Sequence, residues 1–91
     1  MQIARVIGDV VTTIKDANLS GIKLLVLQPL DPDGNATGRT LVAVDAVGAG
    51  VGEIVLIVSG SSARMASGMK DCPVDAAIVG IVDHVDVTQG E

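Results

Sequence analysis

Two adjacent hydroxyl groups, Ser61 and Ser62, are the side chains of this sequence most suited to nucleophilic chemistry. A serine hydrolase also needs a general base, and His84 is the only histidine in the chain. The strained turn that exposes the serine of α/β hydrolases has the pattern Gly-x-Ser-x-Gly. Residues 60–64 read G-S-S-A-R, so this pattern is absent. We therefore expect that the protein is not an enzyme, and any activity would have to depend on Ser61 or His84.

Metal and thiol chemistry have little support in the sequence. The turn at residues 31–35, D-P-D-G-N, has two aspartates as a calcium loop does. Its glycine comes too early for an EF-hand, and no glutamate follows at the required position. Cys72 is the single cysteine, so it has no disulfide partner within the chain and no nearby histidine to activate it. We expect neither a metal site nor a cofactor.

A glycine-rich stretch, G-A-G-V-G at residues 48–52, could in principle hold a phosphate group through backbone amides. Nucleotide-binding loops have the spacing G-x-G-x-x-G and lead into a helix. Here the spacing is different, and an apolar run typical of a strand follows at residues 53–59. The pattern therefore favours a tight chain reversal, or a close approach between chains, over a nucleotide site.

The composition favours an all-β fold. The chain has 91 residues, of which 48% are apolar, and it has no Phe, Trp or Tyr, so its core must be built from aliphatic side chains. Val and Ile are prominent among them, and β-branched residues favour strands. A chain of this length corresponds to one domain, which we predict to span residues 1–91.

The charge pattern disfavours several partners. The formal net charge is −5, the six basic residues are scattered, and the aromatic side chains on which bases could stack are missing. Nucleic-acid binding is therefore disfavoured. The chain has neither a signal-peptide core nor an apolar run long enough to span a membrane. We expect a cytosolic protein without a membrane partner.

The alternation of apolar and polar residues predicts five strands and one short helix. The predicted strands are residues 2–14, 22–30, 41–45, 53–59 and 74–87, and the helix is residues 62–69 with Ser61 as its N-cap. Along the first strand, Ala4 and Val6 lie on one face. Arg5 and Ile7 lie on the other, a mixed face that suits a surface partly covered by a neighbouring chain. The strands are more apolar than so small a chain can bury by itself, which predicts self-association.

Several stretches together carry a resemblance to a known family. They are residues 1–11, 23–31, 42–50, 52–53, 58–64 and 73–83, and they are specific in combination although none is diagnostic alone. In these stretches the chain resembles bacterial microcompartment vertex proteins of the CcmL/EutN type, which occur in carboxysomes and ethanolamine-utilisation compartments. The resemblance implies a five-stranded OB-like barrel with one short helix, assembled as a cyclic pentamer with a narrow axial opening. It also implies a structural role, in which pentamers cap the vertices of a polyhedral shell otherwise tiled by hexamers.

The resemblance leads to expectations for particular residues. Because glycines allow symmetric chains to approach closely, we expect the region nearest the five-fold axis to be Gly48, Ala49, Gly50, Val51 and Gly52. We expect contacts within or between subunits at Arg5, Ser61, Ser62 and Arg64. The implied partners are further copies of the chain and the hexameric shell proteins of the same compartment. Two residues depart from the family pattern: Ile54, where many members have an aromatic residue, and Cys72, where a small or polar residue is expected.

The sequence leaves two questions open. An OB-like barrel could instead be a binding module for an oligonucleotide or an oligosaccharide. If the protein is a shell subunit, the sequence does not distinguish a carboxysome from a diol, ethanolamine or glycyl-radical compartment.

Overall fold

Five β-strands close into a barrel in the computed structural model, which describes residues 1–11, 22–60, 63 and 75–88. The strands are β1 (Gln2–Asp9), β2 (Leu24–Leu30), β3 (Leu41–Asp45), β4 (Ile54–Ser59) and β5 (Ala76–Ile81). They are hydrogen-bonded in the order β1-β2-β3-β5-β4, and β4 pairs with β1 to complete the barrel. Every pair is antiparallel except β3 and β5, which are parallel. The predicted all-β barrel of five strands is thereby confirmed.

The strand directions give the barrel two distinct ends. Strands β1, β3 and β5 run one way, and β2 and β4 run the other way. The C-terminal ends of β1, β3 and β5 therefore lie together. The connection from β3 to β4, residues 46–53, contains the glycine-rich stretch and is at this end, which we call the glycine-loop end. The connection from β2 to β3, residues 31–40, is at the opposite end.

Alternation along the strands separates the barrel interior from its outer face. In β1, Ala4 and Val6 are buried while Arg5 and Ile7 are exposed, as the sequence predicts. The inner core consists of aliphatic side chains from all five strands and one residue of the β3–β4 connection: Ala4, Val6, Leu25, Leu27, Ala43, Ala49, Val55, Ile57, Ala76 and Ile78. Each of the larger ones contributes roughly 1.5–3 kcal/mol by its removal from water.

A smaller apolar cluster lies outside the barrel wall. Its members are Val44, Val58, Ala63 and Ala77. Since Val44, Val58 and Ala77 alternate along their strands with inner-core residues, they face outward, where Ala63 packs against them. Ala63 is helical and is the one residue of the predicted helix 62–69 that the structure describes, so the rest of that prediction lies outside the described residues. Within the described part of the chain, no helix has the length and apolar character needed to cross a bilayer.

Two of the predicted strands are too long. β5 ends at Ile81, whereas the sequence predicts a strand to residue 87, and residues 83–88 are exposed without a strand partner among the described residues. The apolar alternation of Val85 and Val87 continues past the end of the strand, which explains the error. Periodicity indicates faces, but a strand also needs a neighbour for its backbone hydrogen bonds. Similarly, β1 ends at Asp9, and residues 12–14 of its predicted extension lie outside the described residues.

Candidate assembly site at the glycine-rich loop

The middle of the β3–β4 connection is fixed to the barrel core by one buried residue. Ala49 is fully buried and belongs to the inner core. Val47 and Val51, two residues to either side, are 40% and 60% exposed. The loop therefore has one point held in the core and presents two apolar side chains to the solvent.

The first half of this loop is held by Asp45, whose side chain is only 1% exposed. Its Oδ1 accepts hydrogen bonds from the backbone N–H groups of Val47, at 3.0 Å, and Gly48, at 2.9 Å. Its Oδ2 lies 3.5 Å from Nζ of Lys23, and this Nζ also donates a hydrogen bond of 2.7 Å to the carbonyl oxygen of Ala49. Lys23 directly precedes β2, and Asp45 is the last residue of β3. Their contacts thus tie the loop to two neighbouring strands.

The second half of the loop is held by Glu53 and by β1. Glu53 Oε1 accepts a hydrogen bond of 2.7 Å from the N–H of Gly50, and the Glu53 N–H donates one of 3.1 Å to the Gly50 carbonyl. The N–H of Gly52 donates to the carbonyl of Val6 at 2.8 Å, and the N–H of Val6 donates to the carbonyl of Glu53 at 2.9 Å. The loop conformation is therefore determined by bonds at both of its ends.

Replacing Gly52 with alanine is expected to lower the free energy of unfolding by about 1–2 kcal/mol, because Gly52 has a φ of +95°, where a side chain is strained. Gly50→Ala is the matched control, since Gly50 has no positive φ and its added Cβ would lie 3.6 Å from Glu53 Oε1, an ordinary contact. Urea unfolding of both variants at one protein concentration checks this. Equal losses for the two variants would contradict the role given to the backbone of Gly52.

The loop amides that a phosphate group would need already have acidic partners. The N–H of Gly48 bonds to the Asp45 carboxylate, and the N–H of Gly50 bonds to the Glu53 carboxylate. An anion would have to displace a carboxylate and approach its negative charge. This geometry favours the sequence-based interpretation of residues 48–52 as a chain reversal rather than a nucleotide site.

The Asp31 turn has a similar self-contained structure. Asp31 Oδ1 accepts hydrogen bonds of 2.9 Å from the N–H groups of both Asp33 and Asn35, and the Gly34 N–H donates to the Asp31 carbonyl at 2.9 Å. Among the described residues, no group of three or more His, Cys, Asp or Glu side chains is arranged to hold a metal ion. The carboxylate of Asp31 therefore stabilises its own turn.

The other residues singled out in the sequence are spread over the chain. Arg5 is exposed on the outer face of β1, opposite Gln28 of β2 and Ile54 of β4. His84 is 75% exposed, and its Nε2 lies 3.3 Å from Oδ2 of Asp86. The remaining candidates lie outside the described residues: Ser61, Ser62, Arg64 and Cys72.

Exposed apolar side chains are concentrated at the glycine-loop end. Nine large apolar residues are exposed in the described part of the chain. Five of them belong to strands or loops at this end, Ile7, Val11, Val47, Val51 and Ile81, and two more, Val85 and Val87, lie in the segment that follows β5 from it. The other two are Met1 and Val42. An apolar surface gathered in this way is typical of an interaction site.

Asp45 and Lys23 are structural residues of this site that the sequence analysis did not identify. An aspartate three residues before a glycine is a turn signal, because its carboxylate can accept the following backbone amides. That signal is present in the stretch D-A-V-G at residues 45–48. The burial of Asp45 and its pairing with Lys23 depend on the packing of β2 against β3 and have no local sequence signal.

Comparisons with known proteins relate the chain to one family. A family model described as ethanolamine utilisation protein EutN/carboxysome matches residues 1–83. The carboxysome shell vertex protein CcmL of Synechocystis sp. is 51% identical over 90 residues, which are 99% of this chain and 90% of that protein. The bacterial microcompartment shell vertex protein EutN of Escherichia coli is 48% identical over 85 residues, 93% of this chain and 90% of that protein. The solved structure of the GrpN pentameric microcompartment shell protein from Rhodospirillum rubrum has a TM-score of 0.88 and 49% identity, covering 97% of this chain and 100% of that one.

Proposed function

Because the chain belongs to the family of the ethanolamine utilisation protein EutN and its carboxysome relatives, we propose that it is a structural shell protein that forms pentamers at the vertices of a bacterial microcompartment in the cytoplasm. The observation that carries this proposal is the identity of 48–51% with two shell vertex proteins over almost the whole chain. The likeness to a pentameric shell protein supports the five-fold assembly. We assign the protein a structural role without catalysis and take residues 1–91 to form one vertex-protein domain.

The geometry of a closed shell explains why such a subunit is needed. A flat lattice of hexamers cannot close, and five-fold positions introduce the curvature that it lacks. A ring forms when head-to-tail contacts between identical chains close after a fixed rotation. We propose that each ring also contacts hexameric shell proteins of the same compartment along its outer edges.

Native mass spectrometry of the purified protein tests the assembly directly. We expect a species of five chains, each of 9.2 kDa, that persists on dilution. A well-folded monomer or dimer as the dominant species would contradict the proposal. Co-expression with a hexameric shell protein and electron microscopy of the product test the vertex role, since closed polyhedral shells should appear only when both proteins are present.

We propose that residues 48–52 lie nearest the five-fold axis. Support comes from the exposed Val51 and from the other exposed apolar side chains at this end of the barrel. Nitroxide labels attached at Val51→Cys, in a Cys72→Ser background, should give shorter distances between subunits than labels at Asp33→Cys. Asp33 is the control because it lies in the connection at the opposite end of the barrel. Longer distances from position 51 than from position 33 would contradict this placement.

We also retain Arg5, Ser61, Ser62 and Arg64 as candidates for subunit contacts. For Arg5, the support is its exposed position on β1 beside the half-buried apolar Ile54. Arg5→Glu is expected to raise the concentration at which the ring dissociates about tenfold or more, because it reverses the charge that Arg5 presents to the neighbouring subunit. Arg39→Glu, at an exposed residue of the opposite connection, changes the net charge equally and should leave the ring intact. Sedimentation velocity over a dilution series checks both, and equal behaviour would remove Arg5 from the interface.

A further inference from the structure

We propose that the segment after β5, residues 84–88, is an arm that lies across the glycine-loop end of the neighbouring subunit. We call this segment the C-terminal arm. The inference rests on the proposed function, since it takes the partner to be a second copy of this chain. It adds which part of one subunit reaches which surface of the next.

The C-terminal arm has two different sides. Nε2 of His84 lies 3.3 Å from Oδ2 of Asp86, so these two polar side chains lie on the same side of the segment. Val85 and Val87 occupy the alternate positions, and each keeps nearly half of its surface exposed, 43% and 46%. The arm therefore has a polar side and an apolar side, and none of the described residues pairs with it as a strand.

The arm begins at the glycine-loop end of its own barrel. The N–H of Val82 donates a hydrogen bond of 2.8 Å to the carbonyl of Ile54, the first residue of β4. This bond continues the antiparallel pairing of β4 and β5 by one residue beyond β5. From there the chain continues away from the strand ladder at the end that also presents Val47 and Val51.

The surface that we assign to the arm is the exposed apolar part of the same end in the next subunit. It includes Ile7, Val47 and Val51. Ile7 lies at the register shift of β1 between Val6 and Gly8, and it is 47% exposed. In a ring, a neighbouring copy presents this same surface to each arm. Docking by Val85 and Val87 would remove apolar area from water while the polar side of the arm stays hydrated, so no charge becomes buried.

Photo-crosslinking of the purified protein tests the contact. A benzophenone amino acid in place of Val87 should, on irradiation, give covalent oligomers of up to five chains on a denaturing gel. Mass spectrometry of the crosslinked peptides should locate the second attachment in residues 1–11 or 46–53. The same probe in place of Asp33, at the opposite end, is the control and should give no covalent oligomer through those segments. Crosslinks from position 87 confined to single chains, or to other segments, would overturn the proposal.

A truncated chain that ends at Val82 measures how much the arm contributes. Removing two half-exposed valines from each contact should raise the concentration at which the ring dissociates about tenfold or more. If the truncated chain does not fold, the paired substitution Val85→Ser and Val87→Ser replaces it, with His84→Ser and Asp86→Ser as the control on the polar side. If the parent protein is a pentamer and the valine variant dissociates at the same concentration, the proposed contact of the arm is refuted but the proposed function is not. A parent protein that is not pentameric would refute the proposed function itself.

Discussion

Replacement of Asp45 by alanine is expected to lower the free energy of unfolding by about 2–4 kcal/mol. The Asp45 carboxylate is 1% exposed, accepts two backbone hydrogen bonds and lies 3.5 Å from the ammonium group of Lys23. Alanine would remove all three interactions and leave a gap beside the loop. Urea unfolding at a fixed protomer concentration measures the change, because the stability of an oligomer depends on concentration.

Asp31→Ala is the matched control for Asp45→Ala. Asp31 also accepts two backbone N–H groups through one carboxylate oxygen, in a turn of similar form. The described part of the chain places no basic side chain within ion-pair distance of Asp31. We expect a loss of about 0.5–1.5 kcal/mol. If the two substitutions cost the same, the burial of Asp45 and its pairing with Lys23 do not stabilise the loop.

Substitution of Ile78 by alanine is expected to cost about 2–5 kcal/mol, the range for deletion of a fully buried aliphatic group from a packed core. Ile78 is completely buried and belongs to the inner core. It lies in β5, the strand that pairs with both β3 and β4. The cavity that alanine leaves can be filled only if neighbouring strands shift. The midpoint of urea unfolding should fall while the slope of the transition stays the same.

Ile81→Ala makes the same chemical change at the end of the same strand. Ile81 is 42% exposed, so its truncation should change the stability of the barrel by about 0.5 kcal/mol or less. A loss at Ile81 as large as that at Ile78 would mean that Ile81 is also buried in the assembled protein. That result would place Ile81 in a subunit contact and would add to the evidence for contacts at the glycine-loop end.

Local patterns in the sequence were enough to predict the five strands and the two faces of the first one. The alternation at residues 4–7 predicted which side of β1 is buried, and the structure confirms it. The same reasoning was wrong for residues 82–87, where valines still alternate although no strand partner follows among the described residues. Alternation depends on neighbours in the chain, whereas strand formation depends on a second strand that can lie far away in sequence.

The loop at residues 46–53 also depends partly on local sequence and partly on contacts between distant segments. Its glycines predict a tight reversal, and the aspartate before them is a turn signal that the sequence analysis did not use. The contact from Lys23 to the Ala49 carbonyl joins residues 26 positions apart, and only the packing of β2 beside β3 brings them together. The concentration of exposed valines and isoleucines at one end of the barrel likewise depends on the directions of all five strands.

The amino-acid sequence by itself determined that this is an aliphatic, acidic, all-β chain with a glycine-rich reversal and the motifs of a shell vertex family. These properties follow from composition and from spacings of a few residues, which do not depend on how the chain folds. The tertiary structure decided the order in which the strands pair, including the parallel β3–β5 pair, the burial of Asp45 and the gathering of apolar side chains at the glycine-loop end. Each of these depends on which distant segments become neighbours, and that choice is made by the packing free energy of the whole chain rather than by any local pattern.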